Sequence, residues 1–424
     1  MTQTITLYNY KFSLLRNFGK TELKEYIKPK FLDYKQLYKT AYGSDPYIKI
    51  SSILNAKVKK GYDDSEIDRD LFNALVYLSP ERYYFLNMET ELTADKAFSE
   101  LNNSSKFTGY INRKLSHVVD EREKLISIRK DGSRIIFLFK LGISELGILK
   151  EKCGFYVPCV LDFENMHMEI RLNQYLLRNL NITTKIQLRE IISYMEEFCN
   201  NQLPLALTIS RIGESKIHKG LYLLFVDESN KSLKLIKREV AKNEEKGDTK
   251  VTEKELKENI SKYLKEQLHV SNPEAFVEKV MSVKYQDTAL NMKYKDFIED
   301  GGYIFGFSFI DRKITKSKNR NEEHKPVYQS KIYWNLKDLI KDYEEISELA
   351  IYWKFNKKDF NKKLSGKVAD KDETFAEIEI KELHNVLEIH YYVDHDDSDI
   401  QPASVKERRI REKYVIQKIR GFIQ

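Results

Sequence analysis

The pair Asp131-Gly132, set between the apolar runs 125–128 and 135–139, constrains this chain more than any other local feature. An Asp-Gly pair supplies the positive φ angles of a type I′ turn, so the β-prone segments on either side are committed to an antiparallel hairpin. Two further hairpins are expected. One joins 155–164 to 167–172 through Asn165-Met166, and the other turns at His384-Asn385 between strands carrying Glu377 to Lys381 and Glu388 to Tyr392. Strands are also expected at 5–15 and 82–88, at 205–212 with 221–226, and at 303–310 with 329–336, the last two joined by a long basic loop.

Helical spacing is clear at 65–78, where Ile67, Leu71, Leu75 and Leu78 share a face and Pro80 lies beyond the end. Residues 21–42 have helical spacing interrupted at Pro29. Thr184 with Gln187 reads as a capping box ahead of the stripe Leu188, Ile191, Met195 and Phe198. Two more helices are expected, at 253–268 and from Ser271 with Pro273 and Glu274. Helices that fall between groups of antiparallel strands predict an α+β fold of hairpins and sheets with packed helices. At 424 residues the chain exceeds one ordinary core, and 241–252 is almost devoid of apolar side chains. The expected organisation is an N-terminal α+β domain over 1–240, a charged linker over 241–252 and a C-terminal α+β domain over 253–424.

Several function classes find no motif. The three cysteines, Cys153, Cys159 and Cys199, form no CxxC pair, which argues against finger-type zinc and a disulfide framework and for a reducing cytoplasm. No apolar run approaches the roughly 20 residues of a membrane helix. Gly19-Lys20-Thr21 resembles the end of a phosphate loop, but Leu14 stands where that loop needs glycine, and Thr21 reads as a helix cap. Nucleophile-elbow, HExxH and GxGxxG patterns are absent from the sequence.

Two acidic constellations invite a catalytic or metal reading. Glu379 and Lys381 have the E-x-K spacing of metal-dependent nucleases, with Asp370 or Asp372 as an upstream carboxylate. The hairpin reading instead pairs Glu379 with His390 and Lys381 with Glu388. Asp162, Glu164, His167 and Glu169 offer carboxylates and an imidazole suited to Mg²⁺ or Mn²⁺. Their expected register sets Asp162 opposite Glu169, a repulsion that a cation or Arg171 would relieve. The His/Asp-rich stretch from His384 through His390 and His395 to Asp399 reads as a solvated segment.

Lys plus Arg number 72 against 65 Asp plus Glu, a formal charge of +7. Two basic elements carry the partner argument: the loop with Lys313, Lys316, Lys318 and Arg320, and a terminal helix with Arg408, Arg409 and Arg411 ahead of an apolar end. Together they predict a cytoplasmic protein that interacts with nucleic acid, DNA or RNA, through phosphate contacts. The Lys-, Ile-, Asn- and Tyr-rich text suggests a bacterial or phage source and, by association, a subunit of a defence or mobile-element assembly. A divalent-metal nuclease is the alternative. A protein-interaction scaffold or homo-oligomer without nucleic acid is a third reading, and no membrane partner is expected.

Overall fold

Alternating apolar text becomes strand, and i, i+4 apolar text becomes helix, along most of the chain. The computed structural model describes residues 10–41, 43–117, 123–246, 252–311, 315–360, 372–392 and 404–423. Helices α1 (Phe12–Leu15), α2 (Lys20–Ile27), α3 (Tyr34–Thr40), α4 (Pro46–Lys59) and α5 (Ser65–Tyr77) precede strand β1 (Arg82–Thr90). Next come α6 (Ala94–Asn103), β2 (Leu125–Asp131), β3 (Arg134–Leu146), β4 (Glu151–Asp162), β5 (His167–Leu172), α7 (Gln174–Arg178), α8 (Leu188–Glu197) and β6 (Leu207–Ser210). Then follow α9 (Glu214–Lys246), α10 (Glu253–Glu266), α11 (Glu274–Asn291), α12 (Tyr294–Glu299), β7 (Gly302–Asp311) and β8 (Thr315–Arg320). The chain continues through α13 (Lys331–Tyr343), β9 (Ile346–Asn356), β10 (Glu373–Leu383), β11 (Val386–Tyr391) and α14 (Val405–Ile423). The fold is α+β, as expected, and no described helix is long and apolar enough to cross a membrane.

The chain forms two compact units, each discontinuous: Met1–Ile212 with His384–Arg409, and Gly213–Leu383 with Ile410–Gln424. They divide at Ile212/Gly213, not in the charged stretch 241–252. The first residues of that stretch extend α9, Thr252 caps α10, and 247–251 lie outside the described residues.

In the first unit the antiparallel strands run in the order β2-β3-β4-β5-β1-β11. The outer edge of β1 is shared, with β11 pairing Arg82 to Phe85 and β6 pairing Asn87 to Thr90. Helices α1 to α5 cover one face, packing Leu54, Leu71 and Leu75 with Ile136, Leu138 and Val160. The opposite face packs Phe137 and Phe139 against Phe198, an aromatic cluster with ring centroids 5.0–5.8 Å apart. The hairpin from β2 to β3 is present, but its turn is Gly132-Ser133, one residue later than expected. Gly132 takes φ 63°, while Asp131 joins the ladder opposite Arg134 and accepts a hydrogen bond from the Tyr77 hydroxyl at 2.8 Å. At the other expected turn, His384 and Asn385 both take the positive φ (57° and 65°) of a I′ connection.

Several expected elements differ. Residues 12–15 are helical, and 1–9 lie outside the described residues. The α8 cap is Gln187 with Glu190, because Thr184 is taken into a 3₁₀ turn. The apolar run 221–226 is part of α9, not a strand. Ile217, Leu221, Leu224, Phe225, Ile236 and Val240 are buried on that helix at i, i+3/i+4 spacing, a pattern that six residues taken alone cannot reveal. Residues 329–336 enter α13 rather than a strand, and the long basic loop before them contains β8.

In the second unit the order is β10-β9-β7-β8, all antiparallel. Ala376, Ile378 and Ile380 of β10 share a face with Trp353, Ile351 and Leu349 of β9. The Tyr414 ring of α14 stacks on Phe355 at 3.8 Å, and on α9 Phe225 meets Phe307 of β7 at 5.3 Å. Gly220 of α9 is required for close approach: a Cβ there would stand 2.7 Å from the Phe422 carbonyl oxygen.

Candidate functional site

The acidic hairpin is fully satisfied from within. Its turn spans four residues, 163–166, so the register sets Asp162 opposite His167 and Val160 opposite Glu169, a shift of two from the expected pairing that leaves side-chain faces unchanged. Asp162 and Glu169 are both fully buried. Asp162 accepts from Arg134 Nε at 2.6 Å, from the backbone N–H groups of Glu164 (3.1 Å) and Asn165 (2.9 Å), and from Asn165 Nδ2 (3.1 Å). Glu169 accepts from Arg171 through Nε (2.9 Å) and a terminal nitrogen (2.5 Å), and contacts His167 Nε2 at 2.8 Å. Arg171 is itself fully buried, donates to the Val76 carbonyl at 3.1 Å, and lies over the Tyr83 and Tyr77 rings.

Burial alone would raise both carboxyls, but guanidinium charge outweighs it. Arg134, then His167, holds Asp162 below the usual range, and Arg171, then Arg134, holds Glu169 well below it. Two carboxylates against two guanidiniums leave no excess charge for a cation. Asp162, His167 and Glu169 do cluster closely, yet their lone pairs are occupied by donors, so Mg²⁺ or Mn²⁺ would have to displace a buried arginine. Glu164 stands apart, exposed and bonded to the Ser133 hydroxyl at 3.2 Å.

The E-x-K pair is likewise engaged. Ladder register places Arg320, Gly306, Ala350 and Glu379 in one row across β8, β7, β9 and β10. The Arg320 side chain crosses the two small residues and pairs with Glu379, which also has Lys381 Nζ at 3.7 Å. Gly306 gives the strap room, since a Cβ there would come within 3.2 Å of Arg320 Cγ and 3.3 Å of Ala350 Cβ. Asp372 pairs with Lys358 at 2.6 Å and lies seven residues from Glu379, about 20 Å along an extended strand, too far to share a metal. Asp370 lies outside the described residues.

Several of the expected phosphate contacts are engaged within the protein. Lys318 pairs with Glu348 at 2.5 Å; Lys316 is exposed, and Lys313 lies outside the described residues. On α14, Arg408 is buried over the Tyr391 ring at 4.0 Å, and Arg411 is buried over Phe375 at 4.4 Å with Nε donating to Thr374 Oγ1. Arg409 is half-exposed and bonds Asp131 at 2.8 Å. The first half of that helix is therefore divided, with Arg408 and Arg411 packed inward and Lys406, Arg409 and Lys413 exposed. Its arginines use their flat guanidiniums against aromatic rings.

A denser cationic feature lies on α9. Lys231, Lys234, Lys237 and Arg238 line one open groove together with Ala241 and Asp300. Lys231 is tied to Asp227 (2.6 Å) and Glu228 (2.8 Å), and Arg238 to Asp300 (2.5 Å). Lys237 sits over the Tyr285 ring at 5.3 Å. Lys337 of α13 lies over Trp334 at 5.2 Å and donates to Ser282 Oγ at 2.5 Å. Burial pushes the Lys337 ammonium down, and like charge from Lys341 and Lys237 adds to it. Lys418 of α14 is pushed down in the same way, by burial and by Lys231 beside it. The signal was in the sequence, as Lys231, Lys234, Arg238 and Lys242 at i, i+3, i+7 and i+11, but it appears only once 214–246 is read as one helix.

Comparison with protein-family models, with curated proteins and with solved structures gives no match.

Proposed function

We propose that the protein binds nucleic acid, and that the α9 groove with Lys337, Lys341 and Lys418 is the interface. The supporting observation is the groove itself: four cations over two turns of one helix, about 10 Å of axis, with Asp227, Glu228 and Asp300 pairing only Lys231 and Arg238. Lysines that press on one another gain most from a polyanion, because phosphates relieve their repulsion and release counterions. Such contacts recognise charge and backbone, so binding is largely independent of base sequence. Three buried cysteines, none in a disulfide, support a cytoplasmic setting, and a defence or mobile-element assembly would supply the nucleic acid. The E-x-K pair gives the nuclease alternative no support, since Arg320 occupies its carboxylate.

The test is fluorescence anisotropy with labelled single-stranded DNA, single-stranded RNA and duplex DNA over 50–300 mM KCl. Removing three cations as Lys234→Ala, Lys237→Ala and Lys341→Ala should flatten the slope of log affinity against log salt by about 2 to 3, at roughly 0.7–0.9 per phosphate contact. Lys318→Ala and Arg320→Ala should leave the slope unchanged. A parent protein that binds none of these probes would leave the scaffold reading in place. An unchanged slope in the triple variant would remove the groove from the interface.

A further inference from the structure

The geometry points to a divalent-cation site in the second unit, formed by Glu214, His218 and Glu382. Gly213, at φ 97°, admits the chain into α9, so Glu214 falls in the first turn, where the helix dipole favours a carboxylate. His218 follows four residues later on the same face. On β10 the residues Ala376, Ile378 and Ile380 form one buried face, and period-two alternation carries that face to Glu382 at the strand end. Helix start and strand end thus bring an imidazole nitrogen and two carboxylate oxygens within 4.8 Å of one another.

The second observation is the histidine itself. His218 is 3% exposed, and its Nε2 is buried without a hydrogen-bond partner. A buried ring nitrogen with nothing to bond is costly to the fold, and a metal is one of the few partners that satisfies it beside two acids. In the first unit, by contrast, the His167 imidazole is already engaged, with its Nε2 2.8 Å from Glu169.

One nitrogen and two oxygens suit a first-row divalent cation, and among Mn²⁺, Co²⁺ and Zn²⁺ such a set favours Zn²⁺. Ligand atoms held at about 2.0–2.2 Å from a common zinc lie roughly 3 to 3.5 Å apart, so binding needs only about an ångström of side-chain closure. The ion would tie the start of α9 to the end of β10 and keep open coordination positions for water or an anion.

The experiment uses the full chain after EDTA treatment and buffer exchange, without nucleic acid. Calorimetric titration with ZnCl₂ should give one site per chain, with a rise in melting temperature. Co²⁺ should develop a visible d–d absorption. Glu382→Gln, at a half-exposed position, and His218→Asn should each weaken Zn²⁺ at least tenfold and remove the Co²⁺ band, while His167→Asn changes neither. Failure of the parent to take up Zn²⁺, or equal uptake by Glu382→Gln, would overturn the site. Neither outcome bears on the α9 groove.

Discussion

Two buried carboxylates and two arginines on one face of the sheet form a balanced set, and taking away one member leaves its partner charged and dry. Glu169→Gln is therefore expected to cost about 3–5 kcal/mol, read from the urea midpoint, because Arg171 stays fully buried without its counter-ion. A stabilising Glu169→Gln would mean that the acids repel, as their spacing in the sequence first implies. The pH dependence follows from the same pairs. Unfolded carboxyls titrate near 4 and both folded values lie lower, so the contribution of Asp162 and Glu169 is fully present above about pH 5 and is lost as pH falls through 4 toward the folded values. Urea midpoints should accordingly be flat, as far as these groups decide, from pH 5 to 7, and drop steeply below 4. The face shared by these residues was legible from period two, and Arg171 was visible as a neighbour. Arg134 was not, because its place depends on a four-residue turn and on a strand pairing 28 residues away.

At the level of single elements, legibility tracked the length of the pattern. Helix α5 and strand β1 declare themselves over 9 to 13 residues and appear where expected. The run 221–226 was too short to separate a buried strand from one segment of a 33-residue helix. Strand β8 hid in its own charge, since lysines and an arginine on an edge read as loop until their cross-strand acids are known. The Arg320 strap makes a prediction at this scale. Gly306→Ala should cost about 1–3 kcal/mol by crowding the arginine stem, and Arg320→Ala about 1–2 kcal/mol by removing one of the cations that pair with the buried Glu379. The double variant should cost less than the sum, because the crowded side chain is gone. Strict additivity in a double-mutant cycle would show that the strap does not cross the glycine.

Across the whole molecule, a formal charge of +7 says little by itself, since many cations are used internally in ion pairs and ring contacts. Composition also placed the division of the chain at its most polar stretch. The compact units instead interleave, and nothing local in residues 384–409 signals a return to the first. That return has a consequence for how the protein is made. Arg82 waits for Glu388, its partner 306 residues downstream, and with it the outer edge of residues 82–85 waits for β11. At roughly 5–20 residues per second a ribosome needs about 15–60 s to supply that strand, and for this interval the nascent chain carries an open, partly apolar β edge. Synthesis of residues 1–383 alone should make that interval permanent. The fragment is expected to sediment or to be held by chaperones in a translation extract, whereas the full chain stays in the supernatant.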